Sequence, residues 1–372
     1  MRILFVSTNT NPTDLPVNGD AQRTRLLYEA CKRMADVDII SFAGQPEQAR
    51  HLGKLEKWTA LLPLSGTTAL FPVDSAREAV IDAAVAKGHY DFIVARYFYR
   101  AIPCGLWKYR EKLVVDFDDA LPFFFLNQIH PSSALTTRVR LRWAARRAKA
   151  VTRRAVHDMK ASFFAEETVA TSNHATFLPN IPYYSGNCAD AAWNVEVKRF
   201  VFVGQLEYEP NREGLDRFLE KVYLPLTQRL PNIELRLVGQ IKDEALRQRW
   251  QRYPGVTVTG FVDDLEQEYA QSHLAVVPIY RCGATNIKLL EAMSMNRACV
   301  TTTEAYEKMH GQFENGRDLY ATANDEEFVE TLFRLLTDER ENRRIAHNGK
   351  SVMERYYSFD AFCDIVAKTL TR

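Results

Sequence analysis

Residues 274–291, LAVVPIYRCGATNIKLLE, join an apolar run to a turn of small residues and then to a segment carrying Lys288 and Glu291. Leu274, Ala275, Val276, Val277 and Ile279 have the length and character of a buried parallel strand. Cys282, Gly283, Ala284 and Thr285 are small. They allow backbone amides at the start of the following helix to approach a phosphate, where the helix dipole also favours negative charge. Glu291 falls about one and a half turns into that helix, within reach of a ribose hydroxyl pair from which an ionised carboxylate accepts. The chemistry such a stretch supports is nucleotide binding at the carboxyl end of a strand. A ligand-free strand-turn-helix is the alternative for a single match of this kind.

Two further groups of residues bear on chemistry. In VVDFDDALP, Asp116, Asp118 and Asp119 stand at the carboxyl end of a buried strand, where open α/β sheets bind their ligands. An acid there orients or deprotonates a hydroxyl; alternatively it caps the next segment or pairs with an arginine. Beyond PFFFL (122–126), Arg138, Arg140, Arg142, Arg146, Arg147, Lys149, Arg153 and Arg154 follow with no acid among them, interleaved with Leu141 and Trp143. A basic, partly apolar helix of this kind lies on an anionic membrane surface, at about 1 kcal/mol per cation near it. A solvated helix whose arginines pair with acids elsewhere is the alternative. Salt-sensitive binding to nucleic acid is a third reading.

The elements that must position these groups alternate in type. Strands are expected at 2–7, 37–42, 91–97 and 113–119, with helices at 21–34, 77–87 and 138–155, and a short strand at 168–172. LPNIP (178–182) breaks the pattern with two prolines, and YYSGNCADAAWN (183–194) has the composition of a connector. The alternation then restarts: KRFVFVGQ ends in Gly204, a helix is expected from 212 to 230, and IELRLVG, VTVTGF, LAVVPI and ACVTTT supply further strands. A last helix is expected over 359–370, crossing back onto the first domain. Alternation of this kind favours parallel sheets. The domains expected are 1–185, with 358–372 packing back on it, and 195–355.

Composition bounds the function classes. A chain of 372 residues with 46% hydrophobic and 26% charged residues builds two soluble cores. Its net charge of +1 argues against gripping nucleic acid with the whole surface, and no nucleic-acid partner is expected. The six cysteines are scattered with no CxxC pair, so neither a zinc cluster nor a disulfide framework is indicated and a reducing cytosol fits. MRILFVSTNT enters a strand after Arg2, too short a start for a signal sequence, and no apolar run approaches the roughly 20 residues of a membrane helix.

The second half resembles the retaining, nucleotide-sugar-dependent glycosyltransferases of group 1 (family 4 type). The residues that carry the likeness are FVGQLEYEPNREGLDRFLEKVYLPL (202–226), LRLVGQ, VTGFVDDLEQEYAQSHLAVVPI, GATNIKLLEAMSMNRACVTT and YYSFDAF; the first half is collinear but weaker. The resemblance implies an α/β GT-B fold, two Rossmann-like domains with parallel sheets facing a central cleft. The first domain would take the acceptor and the second the donor. The family's usual signature is a Glu, seven residues, then a second Glu. Here Gly283 stands at the first position and Glu291 at the second, which is similar to a sub-group with a GTxxKLLEA-like turn. Donor contacts would then come from Gly283, the amides of Ala284, Thr285 and Asn286, Ile287, Lys288 and Glu291. Gly204 belongs to the same donor set, Gly19 would bring an amide to the diphosphate, and Gly260, Phe261 and Val262 match the place that cradles the base.

Gln205 stands where relatives often carry an Arg, and Arg212 lies near the place of a second cation. A departing nucleoside diphosphate concentrates negative charge, which Lys288, Arg212 and Arg281 are placed to neutralise, in that order. Asp118 and Asp119 occupy the places of a His and an Asp beside the acceptor, so Asp118, Asp119 and Lys288 form the expected catalytic set. Asp-x-Asp is also a metal motif of the other glycosyltransferase fold, but it sits differently. No metal is assigned, and no cofactor is expected besides the nucleotide sugar as co-substrate. The activity implied is hexosyl-type transfer to a glycan or lipid-linked glycan in bacterial surface polysaccharide or glycolipid biosynthesis. The place implied is cytoplasmic, with peripheral membrane contact through 138–154. The alternative is an inactive relative kept as a nucleotide-binding or scaffold subunit.

Overall fold

Apolar runs without polar alternation need cover on both faces, and only a parallel sheet flanked by helices supplies it. The structure, a computed structural model, describes residues 1–14, 19–44, 73–118, 126, 129, 134–183, 186, 188–193, 195–281, 286–309 and 312–371. The chain forms two compact units, Met1–Asn180 with Phe359–Arg372, and Ile181–Ser358.

In the first unit β1 (Arg2–Ser7), β2 (Asp36–Ser41), β3 (Phe92–Arg96), β4 (Leu113–Asp118), β5 (Ala161–Phe164) and β6 (Thr176–Phe177) form one sheet in the order β2-β1-β3-β4-β5-β6. Every described pairing is parallel. Ile3, Leu4, Phe5 and Val6 are buried on both faces of β1, as are Val114 and Val115 of β4. Strand order reverses between β1 and β3. Open sheets bind ligands beyond the carboxyl ends of the strands at such a point. The helix Gly19–Met34 follows β1, and the last helix, Phe359–Leu370, packs on it. There Arg33 pairs with Asp360 and lies 4.5 Å over the Phe359 ring.

In the second unit β7 (Lys198–Val203), β8 (Ile233–Val238), β9 (Val256–Gly260), β10 (Leu274–Val277), β11 (Ala298–Thr302) and β12 (Tyr320–Thr322) run in the order β12-β11-β10-β7-β8-β9. This is the doubly wound order of dinucleotide-binding sheets, with its switch point between β7 and β10. The segments expected as strands from 198 to 302 are strands, and β12 is an addition to them.

One expectation is corrected and another refined. Residues 168–172 belong to a helix, Glu167–Ser172, and the strands lie on either side at β5 and β6. The β-branched Thr168 and Val169 read as a strand, but the segment between the paired strands β5 and β6 turns back through a six-residue helix that buries Ala170. The long helix expected at 212–230 is present as a continuous run from Glu209 to Arg229, with a π turn, Leu219–Tyr223, between Glu209–Phe218 and Leu224–Arg229. Pro225 has no N–H, and in a regular helix its ring would collide with the carbonyl four residues back, which the widened turn just before it absorbs.

Candidate functional site

At the switch point of the second sheet the backbone comes close because side chains are missing. A Cβ on Gly239 would lie 1.7 Å from the Gly204 carbonyl oxygen, and one on Gly214 would lie 2.0 Å from that of Pro278. The amide of Gly204 donates to Val238 O at 2.9 Å and that of Gly239 to Gly260 O at 2.8 Å. The ends of β7, β8 and β9 thus form a bare shelf of backbone. Lys288, in the first turn of the helix Ile287–Ser294, lays its stem over that shelf, where a Cβ on Gly204 would meet Lys288 Cε at 2.6 Å. Beneath it Asn211 is buried and donates to the Gln205 carbonyl at 2.6 Å. The structure therefore brings Gly204 and Lys288 together at the point where this sheet order places a ligand's phosphates.

Glu291 lies one turn beyond Lys288 on the same helix, and is buried. Its Oε1 accepts from the Tyr269 hydroxyl at 2.9 Å. Burial raises the Glu291 carboxyl, the Tyr269 hydrogen bond and the Lys288 charge partly offset this, and the result is about 7. This acid changes charge in the neutral range, unlike an exposed glutamate. Tyr269, on the helix Leu265–Ala270, is fully buried, and nothing in the sequence marked it.

Gly260 has φ 80°, which glycine adopts without strain, and leads into Phe261, 75% exposed, and the half-buried Val262. Arg212 is exposed on the helix Glu209–Phe218 and forms no ion pair among the described residues. Arg281 pairs with Glu209 at 3.7 Å and Glu213 at 3.5 Å, so its charge is partly spent on that helix. Asn286 is the buried N-cap of Ile287–Ser294. Gly283, Ala284 and Thr285 lie outside the described residues, as does Asp119.

The first unit holds a buried charge cluster at its own switch point. Arg23 donates twice to Asp116, Nε to Oδ2 and Nη2 to Oδ1, each at 2.8 Å. Its Nη1 reaches Asn180 Oδ1 at 2.9 Å and Pro179 O at 3.2 Å. Arg96, at the end of β3, lies 3.0 Å from Asp116 and donates to Asp118 at 2.5 Å, to Thr24 at 2.9 Å and to Asp20. The Tyr97 hydroxyl donates to Asp20 at 2.9 Å and to Asp118 at 3.2 Å. Burial alone would raise the Asp116 carboxyl, but the charges of Arg23 and Arg96 outweigh it and hold it below the usual carboxylate range. Burial pushes the Tyr97 hydroxyl far up.

Asp116 is therefore fully engaged in structure, and Arg23 is buried rather than pointing a free cation outward. Asp118 differs: it is partly exposed, and it and Tyr97 both have left-handed backbone, φ 61° and 59°. Such strain persists only where the surroundings over-determine it, here two arginines and a tyrosine. Asp118 is thereby presented at the carboxyl end of β4 with its orientation set. Gly19 opens the helix Gly19–Met34, two residues earlier than the helix expected there. Arg96 and Tyr97 are absent from the expected site, although an arginine ending an apolar strand is itself a signal, since a buried guanidinium requires acids beside it. Among the described residues no group of three or more His, Cys, Asp or Glu side chains is arranged to hold a metal ion. No helix among them is long and apolar enough to cross a membrane.

With this geometry in hand, residues 197–338 match the model of the family Glycosyl transferases group 1. The chain is similar in structure to sucrose-phosphate synthase from Thermosynechococcus elongatus, at 14% identity, covering 99% of this chain and 97% of that one, with a TM-score of 0.67. It is similar to Anabaena HepE in complex with UDP and glucose, at 15% identity, 99% of this chain, 99% of that one and a TM-score of 0.61. It is also similar to WaaG, a glycosyltransferase involved in lipopolysaccharide biosynthesis, at 16% identity, 100% of both chains and a TM-score of 0.59. No curated protein matches the sequence. At these identities the likeness is one of fold, and the fold is GT-B. The family match falls within the second unit and takes in Gly204, Lys288 and Glu291.

Proposed function

We propose that this chain, an enzyme of the glycosyltransferase class by its group 1 segment and GT-B fold, transfers a sugar from a nucleotide-diphosphate sugar to a hydroxyl acceptor with retention at the anomeric carbon. The observation that carries this is Lys288 lying over the Gly204 backbone at the switch point between β7 and β10, inside the matched segment. In this reading the shelf and the amides opening the helix Ile287–Ser294 hold the diphosphate. Lys288 neutralises the charge that builds on the leaving group, with Arg212 second. Glu291 accepts from the ribose hydroxyls, and Gly260, Phe261 and Val262 receive the base, the exposed Phe261 ring offering a stacking face. Acceptor attack and leaving-group departure on one face need no protein nucleophile. Asp118, with Asp119, orients the acceptor hydroxyl, and no metal is required.

HepE was solved with UDP and glucose and WaaG serves lipopolysaccharide synthesis, which supports a nucleotide-sugar donor and a surface-glycan or glycolipid acceptor here. In this reading the enzyme works in the cytoplasm, peripheral to the membrane. The test is transfer across a panel of nucleotide sugars with anomeric configuration read by NMR. Lys288→Ala is expected to lower kcat roughly 10²- to 10³-fold with the fold intact, as loss of one charge-stabilising group does. Nucleotide binding without turnover of any donor would favour the scaffold alternative.

A further inference from the structure

The basic helix Leu135–Asp158 buries Leu141, Ala144, Ala148, Val151 and Ala155 along one face. At about 3.6 residues per turn the opposite face is the line Leu135, Val139, Trp143, Arg146, Ala150, Arg153. Leu135 is 75% exposed, Val139 58% and Trp143 46%, in a row four residues apart. Arg142 and Lys149 are exposed along one flank. The helix has one acid, Asp158, and Arg154 and His157 approach it. Among the described residues Arg142, Arg146, Lys149 and Arg153 form no ion pair. The chain's net charge is only +1, so these cations are a local concentration and not a general surplus.

A face meant only for water has no use for three large apolar side chains in line. Nucleic acid or an acidic protein would answer the cations and leave Leu135 and Val139 without a function. An anionic bilayer surface answers both, since apolar side chains and tryptophan enter the boundary between headgroups and chains while arginine and lysine extend to lipid phosphates. We propose that this face docks on anionic lipid, with Leu135, Val139 and Trp143 inserted and Arg142, Arg146, Lys149 and Arg153 on the headgroups. The proposal rests on the membrane-peripheral placement given above and narrows it to one helix face.

The test is co-sedimentation of the full chain with vesicles of phosphatidylglycerol and phosphatidylcholine, against vesicles of phosphatidylcholine alone. The wild type is expected to sediment with the mixed vesicles and to be released by salt. R142Q/R146Q/K149Q/R153Q should weaken binding by roughly fivefold per cation, and L135S/V139S/W143S should also weaken it. Both variants should keep the wild-type melting curve and nucleotide-sugar turnover in solution. If both variants sediment like the wild type, the face is wrong while peripheral placement stands. If the wild type sediments with neither vesicle, both readings fall, and transfer measured in solution still judges the enzyme. RNA binding lost only in the cation variant, with no vesicle binding, would likewise overturn the lipid reading.

Discussion

In the proposed reading the donor side draws on two residues of one helical turn that stand in different surroundings. Lys288 keeps its stem on bare backbone and carries its charge to the switch point, while Glu291 is sunk beside Tyr269 with its carboxyl raised to about 7. A carboxyl raised in the folded state holds a proton that the unfolded chain has already released. The contribution of Glu291 to stability should therefore fall as pH rises from the ordinary carboxylate range to about 7, by on the order of 3 kcal/mol. Glu291→Gln removes this dependence, so its Tm should exceed that of the wild type above pH 7 and converge with it in acid. Parallel Tm profiles for the two proteins would show that burial of Glu291 costs nothing. The same titration predicts that donor affinity rises through neutral pH, because only the ionised carboxylate accepts from both ribose hydroxyls.

At the scale of elements, the strand ends decide what the site can hold. Gly239 meets the Gly204 carbonyl with no room for a Cβ, whereas a Cβ on Gly204 meets side chains, Lys288 Cε at 2.6 Å and Asn211 Nδ2 at 3.4 Å. Gly239→Ala is thus expected to destabilise the second unit by about 2 to 3 kcal/mol, through overpacking against backbone, read as a fall in Tm. Gly204→Ala, at φ 159° and against Lys288, should lower Tm as well, and should in addition lower kcat because it displaces the lysine. An unchanged kcat in Gly204→Ala would contradict the shelf. The central strands were legible in their apolar runs, LFV and LVV in the first unit and FVFV and LAVV in the second, whereas β5, β6 and β12 were not foreseen. The short helix Glu167–Ser172 was not, because six residues carry too few turns for a period to show. The π turn before Pro225 escaped for a related reason, since proline announces a break without saying how the chain absorbs it.

For the whole molecule, the two units have separate sheets, and the family match lies in one of them. A nucleotide sugar at about 100 times its dissociation constant adds about 2.7 kcal/mol to the folded state that binds it. Hydrogen exchange should therefore slow in β7 to β11 and in the helix Ile287–Ser294, with β1 to β6 little changed; protection confined to the first unit would reverse the assignment of donor and acceptor. The sequence by itself determined the alternation of strands and helices, the parallel sheets and the motif holding Lys288 and Glu291, because periodicity and spacing are local and survive in one dimension. Only the tertiary structure decided which charges are spent and which are presented. Asp116, Arg23 and Arg96 look as available in sequence as Asp118, and their mutual burial comes from contacts such as Arg23 with Asp116, 93 residues apart. Tyr269 reaches Glu291 in the same way, across 22 residues that no local pattern joins. Burial and pairing are properties of neighbours in space, and they decide which ionisable groups remain for chemistry.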